Sequence, residues 1–176
     1  MPCGSALEDV YIMAKHWTDD AALVDALSRN LYEALPLLPK RLVKVDAITR
    51  EFGMPFSHIQ ILCMLSGTEM SIGEISARLG IAKPNVTPLL DALVERHLLT
   101  RCRSEEDRRI VNVRLLPEGD ELAEQLRNSI AGQVTDWPKG FSHSDIKRLN
   151  NALAYLIDVG KRLAETDGTI AAGTTK

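Results

Sequence analysis

From Ser71 the chain carries two short helical patterns separated by a glycine, and at Leu98 its apolar spacing changes from that of a helix to that of a strand. Few folds admit that succession. Ser71-Ile72-Gly73-Glu74 is a capping box, in which the serine and the glutamate three residues later satisfy each other's backbone N–H groups. It opens a helix through Ile75, Ala77 and Leu79. Gly80 then stands where a helix ends in the left-handed conformation that glycine adopts without steric cost. Ile81-Ala82-Lys83-Pro84 leads into a longer helix through Val86, Leu89, Leu90, Leu93 and Val94. Two helices joined by a tight glycine turn, the second with a polar outer face, describe a helix-turn-helix. Leu98–Arg103 and Arg109–Leu115 follow as strands on either side of Ser104-Glu105-Glu106-Asp107-Arg108, with Val111, Val113 and Leu115 alternating with Ile110, Asn112 and Arg114. A hairpin with arginines at its tip, directly after a helix-turn-helix, is a wing. The expected fold is mainly α with a small β-hairpin wing.

The flanks read as helices. Leu7 to Trp17 is a short amphipathic candidate, and Thr18-Asp19-Asp20 offers an N-cap to a helix whose face is Leu23, Ala26, Leu27, Leu31 and Leu35. Pro36 and Pro39 interrupt or kink that helix, and Lys40 to Phe52 continues it until Gly53. Ser57-His58-Ile59-Gln60 has the pattern of another capping box, opening a helix through Ile61, Leu62, Met64 and Leu65. After Pro117-Glu118-Gly119, Leu122, Leu126 and Ile130 mark one more helix, and a break is expected from Gly132 to Gly140. Ser142 with Asp145 caps a long helix bearing Ile146, Leu149, Leu153, Leu156, Ile157 and Leu163. The expected segments are an extension over 1–17, helices over 18–52, the winged lobe over 53–118, helices over 119–165 and a flexible tail over 166–176. The terminal helices carry more apolar surface than a small winged domain can cover.

Net charge is −3, which at first speaks against nucleic acid. Its distribution reverses that inference. Between Ser71 and Leu116 there are eight basic and six acidic residues, and Arg96 to Arg114 holds six arginines against three acids gathered in one turn. A basic patch on an acidic body is how a DNA-binding subdomain sits beside a solubilising or oligomerising one. Aromatics at 5% argue against a base-stacking RNA module. No apolar run approaches the length of a membrane span, and the start lacks a signal peptide's basic and apolar regions. Cys3, Cys63 and Cys102 are odd in number and far apart, fitting a reducing cytoplasm and neither a disulfide framework nor a zinc site. His16, His58, His97 and His143 have no ligand spacing, and no phosphate loop, nucleophile elbow or HExxH is present. Neither an enzyme nor a cofactor or metal is expected.

The stretch from Ser71 to Gly119 resembles the MarR family of bacterial winged-helix regulators. Lys83-Pro84-Asn85-Val86-Thr87-Pro88-Leu89, Asp107-Arg108-Arg109 and Leu116-Pro117-Glu118-Gly119 carry the resemblance, which extends over roughly Asp20 to Leu163. His97 departs from it, standing where the family has a glycine closing the recognition helix. The resemblance implies that the terminal helices interlock two chains, so that a homodimer presents two recognition helices one DNA turn apart to a pseudo-palindromic operator. It implies a transcription regulator, a repressor in the first instance, answering to a small-molecule effector lodged between the dimerisation helices and the DNA-binding lobe.

Chemistry assigns the residues. Lys83, Asn85, Thr87, Pro88 and Asp91 remain outside once the buried face of the recognition helix is removed. Lys83, Asn85, Thr87 and Pro88 lie near its N-terminus: Asn85 suits adenine, Thr87 a base edge or thymine methyl, and Lys83 phosphate or guanine. A guanidinium fits the narrow minor groove of A·T-rich DNA. The resemblance makes Arg109 that inserted residue, Asp107 its orienter and Arg108 a phosphate contact. Arg101 and Arg103 share a strand face and are candidate phosphate contacts. Two other readings stand beside this one, a winged-helix protein-interaction module that does not bind DNA and a cysteine-based redox sensor of the same fold. Cys63 is expected to be buried and inert between Leu62 and Met64, whereas Cys102 lies between two arginines. Cys3 is too near the start to match the sensing cysteine of some family members.

Overall fold

The computed structural model describes residues 20–103, 110–137 and 140–173. The Leu7–Trp17 segment and the wing tip, with Asp107, Arg108 and Arg109, lie outside the described residues. The chain divides into two compact units after Asp46.

In the first unit, helix α1 (Ala21–Ala34) is capped by Asp20, whose Oδ1 accepts the Leu23 N–H at 3.0 Å. Leu23, Leu27, Leu31 and Leu35 recur along one face, as expected, and all four are exposed. The helix ends before Pro36. A π-helical turn, Leu38–Leu42, takes Pro39 near its start, where a missing N–H costs nothing, and closes on an extended Val43. The stretch from Lys40 to Phe52 is therefore two pieces, that turn and the separate helix α2 (Val45–Glu51). An ion pair between Lys40 and Asp46 spans the gap. The boundary expected at residue 52 falls earlier, and Ile48 of α2 belongs to the buried core of the second unit.

In the second unit α3 runs Phe56–Leu65. Its start corrects the expected capping box at Ser57. Pro55, extended at φ −60° and ψ 150°, is the N-cap, and its carbonyl accepts the His58 and Ile59 N–H groups. Ser57 thus falls inside the first turn, where its side chain is not the cap. Helices α4 (Ile72–Leu79) and α5 (Lys83–Glu95) follow, then β2 (Leu99–Arg103) and β3 (Val111–Leu115). A two-residue strand, β1 (Met70–Ser71), adds to β3 with Met70 opposite Val113 and Ser71 opposite Asn112. The hairpin is thereby the larger part of a three-stranded antiparallel sheet, ordered β1-β3-β2. The β2–β3 register runs from Leu99 opposite Leu115 to Arg103 opposite Val111.

In the second unit, α3, the α4–α5 pair, the sheet and the helix that follows it turn apolar side chains into one core. Ile59, Ile61, Leu62 and Leu65 of α3 meet Ile75, Val86, Leu90 and Leu93 of the helix pair, Leu99 and Val113 of the sheet, and Leu126. Each such side chain, fully buried, contributes about 1.5–3 kcal/mol. No polar or charged residue is buried among the described residues.

Helix α6 (Pro117–Thr135) packs on α3. It enters through the Leu116 N–H, which donates to the Leu98 carbonyl at 3.0 Å. A Cβ on Gly119 would stand 1.9 Å from that carbonyl oxygen, so only glycine allows the helix this close. The break expected from Gly132 begins later, because α6 passes through Gly132 to Thr135. Helix α7 (His143–Gly173) packs on α4. Ser142 and Asp145 form its reciprocal cap, the Ser142 N–H donating to Oδ2 at 2.9 Å and the Asp145 N–H to Oγ at 3.2 Å. It continues to Gly173 through the region expected to be a tail from residue 166.

Candidate nucleic-acid interface

The turn between α4 and α5 is fixed by local bonds. At the start of α4, Ser71 Oγ accepts the Glu74 N–H at 3.2 Å and Glu74 Oε2 accepts the Ser71 N–H at 2.7 Å. At its end Gly80 is left-handed, with φ 65°. The Ser76 hydroxyl then donates to the Ile81 carbonyl at 2.6 Å across that glycine. Helix α5 therefore leaves the turn in one direction.

Its N-cap, Ala82, is extended and offers no side-chain bond, while Pro84 sits in the first turn, where proline suits a helix. Val86, Leu90 and Leu93 are buried, and Lys83, Asn85, Thr87, Pro88 and Asp91 are all exposed, as the spacing predicts. Pro88 is interior to the helix and has no N–H for the carbonyl of Pro84. One position earlier, the Thr87 hydroxyl donates back to the Lys83 carbonyl at 3.3 Å, leaving its lone pairs outward. Lys83 leans over α4, where a Cβ on Gly73 would meet its Cε at 3.4 Å.

The recognition helix ends as a Schellman motif, with the His97 N–H on the Val94 carbonyl at 2.9 Å and the Leu98 N–H on the Leu93 carbonyl at 3.0 Å. His97 takes the glycine position at φ 56° and bears the steric cost of a Cβ there.

On β2, Arg101 and Arg103 are both exposed and lie on the strand face that buries Leu99 further back. Arg103 stands at the strand's end. Arg101 turns back to the recognition helix, its Nη2 2.7 Å from Asp91 Oδ1 and donating to the Thr87 carbonyl at 3.4 Å. Nothing in the sequence marked this pair, since a strand pattern tells which face a residue takes and not which helix it reaches. Cys102 is half-buried, its Sγ 3.7 Å from the Asn112 carbonyl and 3.9 Å from Glu69 Oε2. Glu69 also accepts from the Asn112 amide at 3.0 Å.

Cys63 corrects an expectation. It is exposed and not buried, because the core face of α3 passes through Ile59, Leu62 and Leu65 and leaves residue 63 outside. Desolvation by its surroundings nevertheless pushes the thiol pKa up. Beside the recognition helix's end, His58 holds its Nδ1 buried without a partner, and burial together with the Arg96 charge lowers its pKa. Among the described residues no group of three His, Cys, Asp or Glu side chains is placed to hold a metal ion. None of the helices described is long and apolar enough to cross a membrane.

A cleft of about 580 Å³ opens between α4, the turn into α5 and the distal part of α7. Arg78, Lys83 and Lys161 line it with Glu74, Glu165 and Ile81. No periodicity in the chain signals that α7 reaches the helix-turn-helix.

An outward second helix on a glycine turn, with a sheet beside its C-terminal end, defines a winged helix-turn-helix protein. Residues 52–110 match the family model described as MarR family. The HTH-type transcriptional regulator YsmB of Bacillus subtilis (strain 168) is 29% identical over 94 residues, which span 53% of this chain and 64% of that relative. Wild-type MarR from E. coli, in its apo form, is similar in structure with a TM-score of 0.58 at 19% identity, over 72% of this chain and 93% of that one. NadR in complex with 4-hydroxyphenylacetate gives 0.54 at 18% identity, over 89% and 97%. At these identities the structural likeness establishes the fold. Over its winged lobe the chain is similar to the MarR family.

Proposed function

We propose that the chain is a cytoplasmic transcription regulator that binds a pseudo-palindromic operator as a homodimer and represses in its unliganded state. The observation that carries the reading is the polar N-terminal half of α5, where Lys83, Asn85, Thr87 and Pro88 are exposed on a helix whose direction the Gly80 turn fixes. Asn85 reads adenine, Thr87 a base edge or a thymine methyl, and Lys83 phosphate or guanine. The wing follows Arg103, with Arg109 in the minor groove, Asp107 orienting it and Arg108 on phosphate. Arg103 adds a phosphate contact from the strand. The exposed apolar residues of α1 and α7 support a second chain as the partner that covers them. NadR's 4-hydroxyphenylacetate supports a small-molecule effector, and the cleft between α7 and the helix-turn-helix is its place in this chain.

The test is selection of duplexes from random-sequence DNA by the full chain, followed by binding isotherms at several salt concentrations. With about four phosphate contacts per subunit, the log–log slope is expected on the order of −5 to −8. On single-base variants of the selected duplex, Asn85→Ala should lose affinity at one base pair per half-site, about 1–3 kcal/mol. Arg109→Ala should lose it on every variant with a narrow A·T-rich flank. Absence of any selected duplex would support a protein-interaction module instead.

A further inference from the structure

We propose that Asp91 and Arg101 form a strut that sets the wing strand against the recognition helix, making Asp91 a positioning residue for DNA reading. The proposal rests on the reading of this lobe as DNA-binding. Asp91 is an exposed acid two turns on from Lys83 and one from Thr87 along the same helix, where an unneutralised carboxylate repels phosphate. Its Oδ1 lies 2.7 Å from Arg101 Nη2, and the same nitrogen donates to the Thr87 carbonyl at 3.4 Å. Thr87 and Asp91 are one helical turn apart, so the one nitrogen that reaches both ties β2 to that turn of α5 at a set distance. The stem of Arg101 stands directly opposite Val113 in the β2–β3 ladder, so what holds Arg101 holds the hairpin.

Folding does not need this pair. The side chains are 33% and 50% exposed, a setting in which an ion pair adds little to stability, and the core beneath is apolar. Its consequence is geometric: a helix in the major groove and a wing in the minor groove contact DNA together only if their separation is held. Arg101 is therefore engaged within the protein and is not free to serve as a phosphate arm.

The experiment uses the full chain and the duplex that the wild type selects from random-sequence DNA. Asp91→Asn, Arg101→Gln and the double variant are compared in affinity, salt slope and melting temperature. The strut predicts that Asp91→Asn weakens binding on the order of three- to tenfold, although it removes a negative charge from the DNA face. Arg101→Gln should lose as much, the double variant no more than either single one, and the salt slope should stay at the wild-type value. Asp91→Glu should recover part of the loss. Unchanged or tighter binding by Asp91→Asn overturns the proposal, as does a slope reduced by about 0.9 for each Arg101 removed, which would make Arg101 a phosphate contact. Should Asp91→Asn melt early, Arg101→Gln decides: a loss of affinity at the wild-type salt slope supports the strut, and wild-type affinity overturns it. A wild type that selects no duplex removes the DNA-binding reading itself, a result separate from any variant's.

Discussion

Burial strips water from the His58 imidazole, and the nearby Arg96 guanidinium opposes a second positive charge, so the ring's pKa lies below that of an ordinary histidine. In the unfolded chain it titrates near its usual value of about 6.5. As pH falls through that value the unfolded state takes up the proton first, so the stability His58 contributes is present above it and lost as pH falls through the folded pKa. Urea midpoints should therefore decline from pH 8 towards pH 5, and His58→Gln should flatten that part of the curve. Equal slopes for the two proteins would remove His58 as the cause. Asp145, held down mainly by its hydrogen bond from the Ser142 hydroxyl, loses its contribution in a more acidic window. Sequence could not announce His58's setting. The charge that acts on it, Arg96, stands some forty positions along the chain, and a lone histidine in a helical pattern says nothing of that.

The end of the recognition helix carries the next expectation. His97 completes a Schellman motif in the left-handed region, where a Cβ costs roughly 1–2 kcal/mol that glycine does not bear. Glycine's greater freedom when unfolded offsets part of that gain. His97→Gly should raise stability by about 1 kcal/mol in denaturant titrations, and a destabilised variant would mean the imidazole makes up the difference elsewhere. Which elements could be read in advance follows from how far apart their partners lie. The boxes at Ser71–Glu74 and Ser142–Asp145 were legible because both members sit within one turn. The same spacing misled at Ser57, where Pro55 starts the helix earlier. Strand β1 is too short to show alternation, and it exists only because Met70 and Ser71 find Val113 and Asn112 across the lobe. The lobe's fold and the outward set Lys83, Asn85, Thr87 and Pro88 were legible from period alone, whereas the Asp91–Arg101 contact was not.

For the chain as a whole, the apolar surface left outside is the feature that calls for a partner. Leu153, Leu156, Ile157 and Leu163 are exposed on α7, which has no fully buried residue among those described. A patch of that kind on a soluble helix marks an interface. Leu153→Glu with Leu156→Glu should convert a dimer to a monomer, or leave it unfolded if the monomer cannot stand alone. Light scattering at micromolar concentration, beside circular dichroism, reads both outcomes. A well-folded wild-type monomer would overturn the dimer and the operator geometry built on it. Gly119 has a consequence at this scale as well. In the rest of the core a shifted helix is absorbed by side chains that change rotamer, as cushions between hard parts. Helix α6 instead rests on the Leu98 carbonyl, backbone on backbone, with the Leu116 N–H bonded to that same oxygen. This joint has no padding and no play: a tilt of α6 is handed undamped to the root of the wing strand, as a lever turns on its pin.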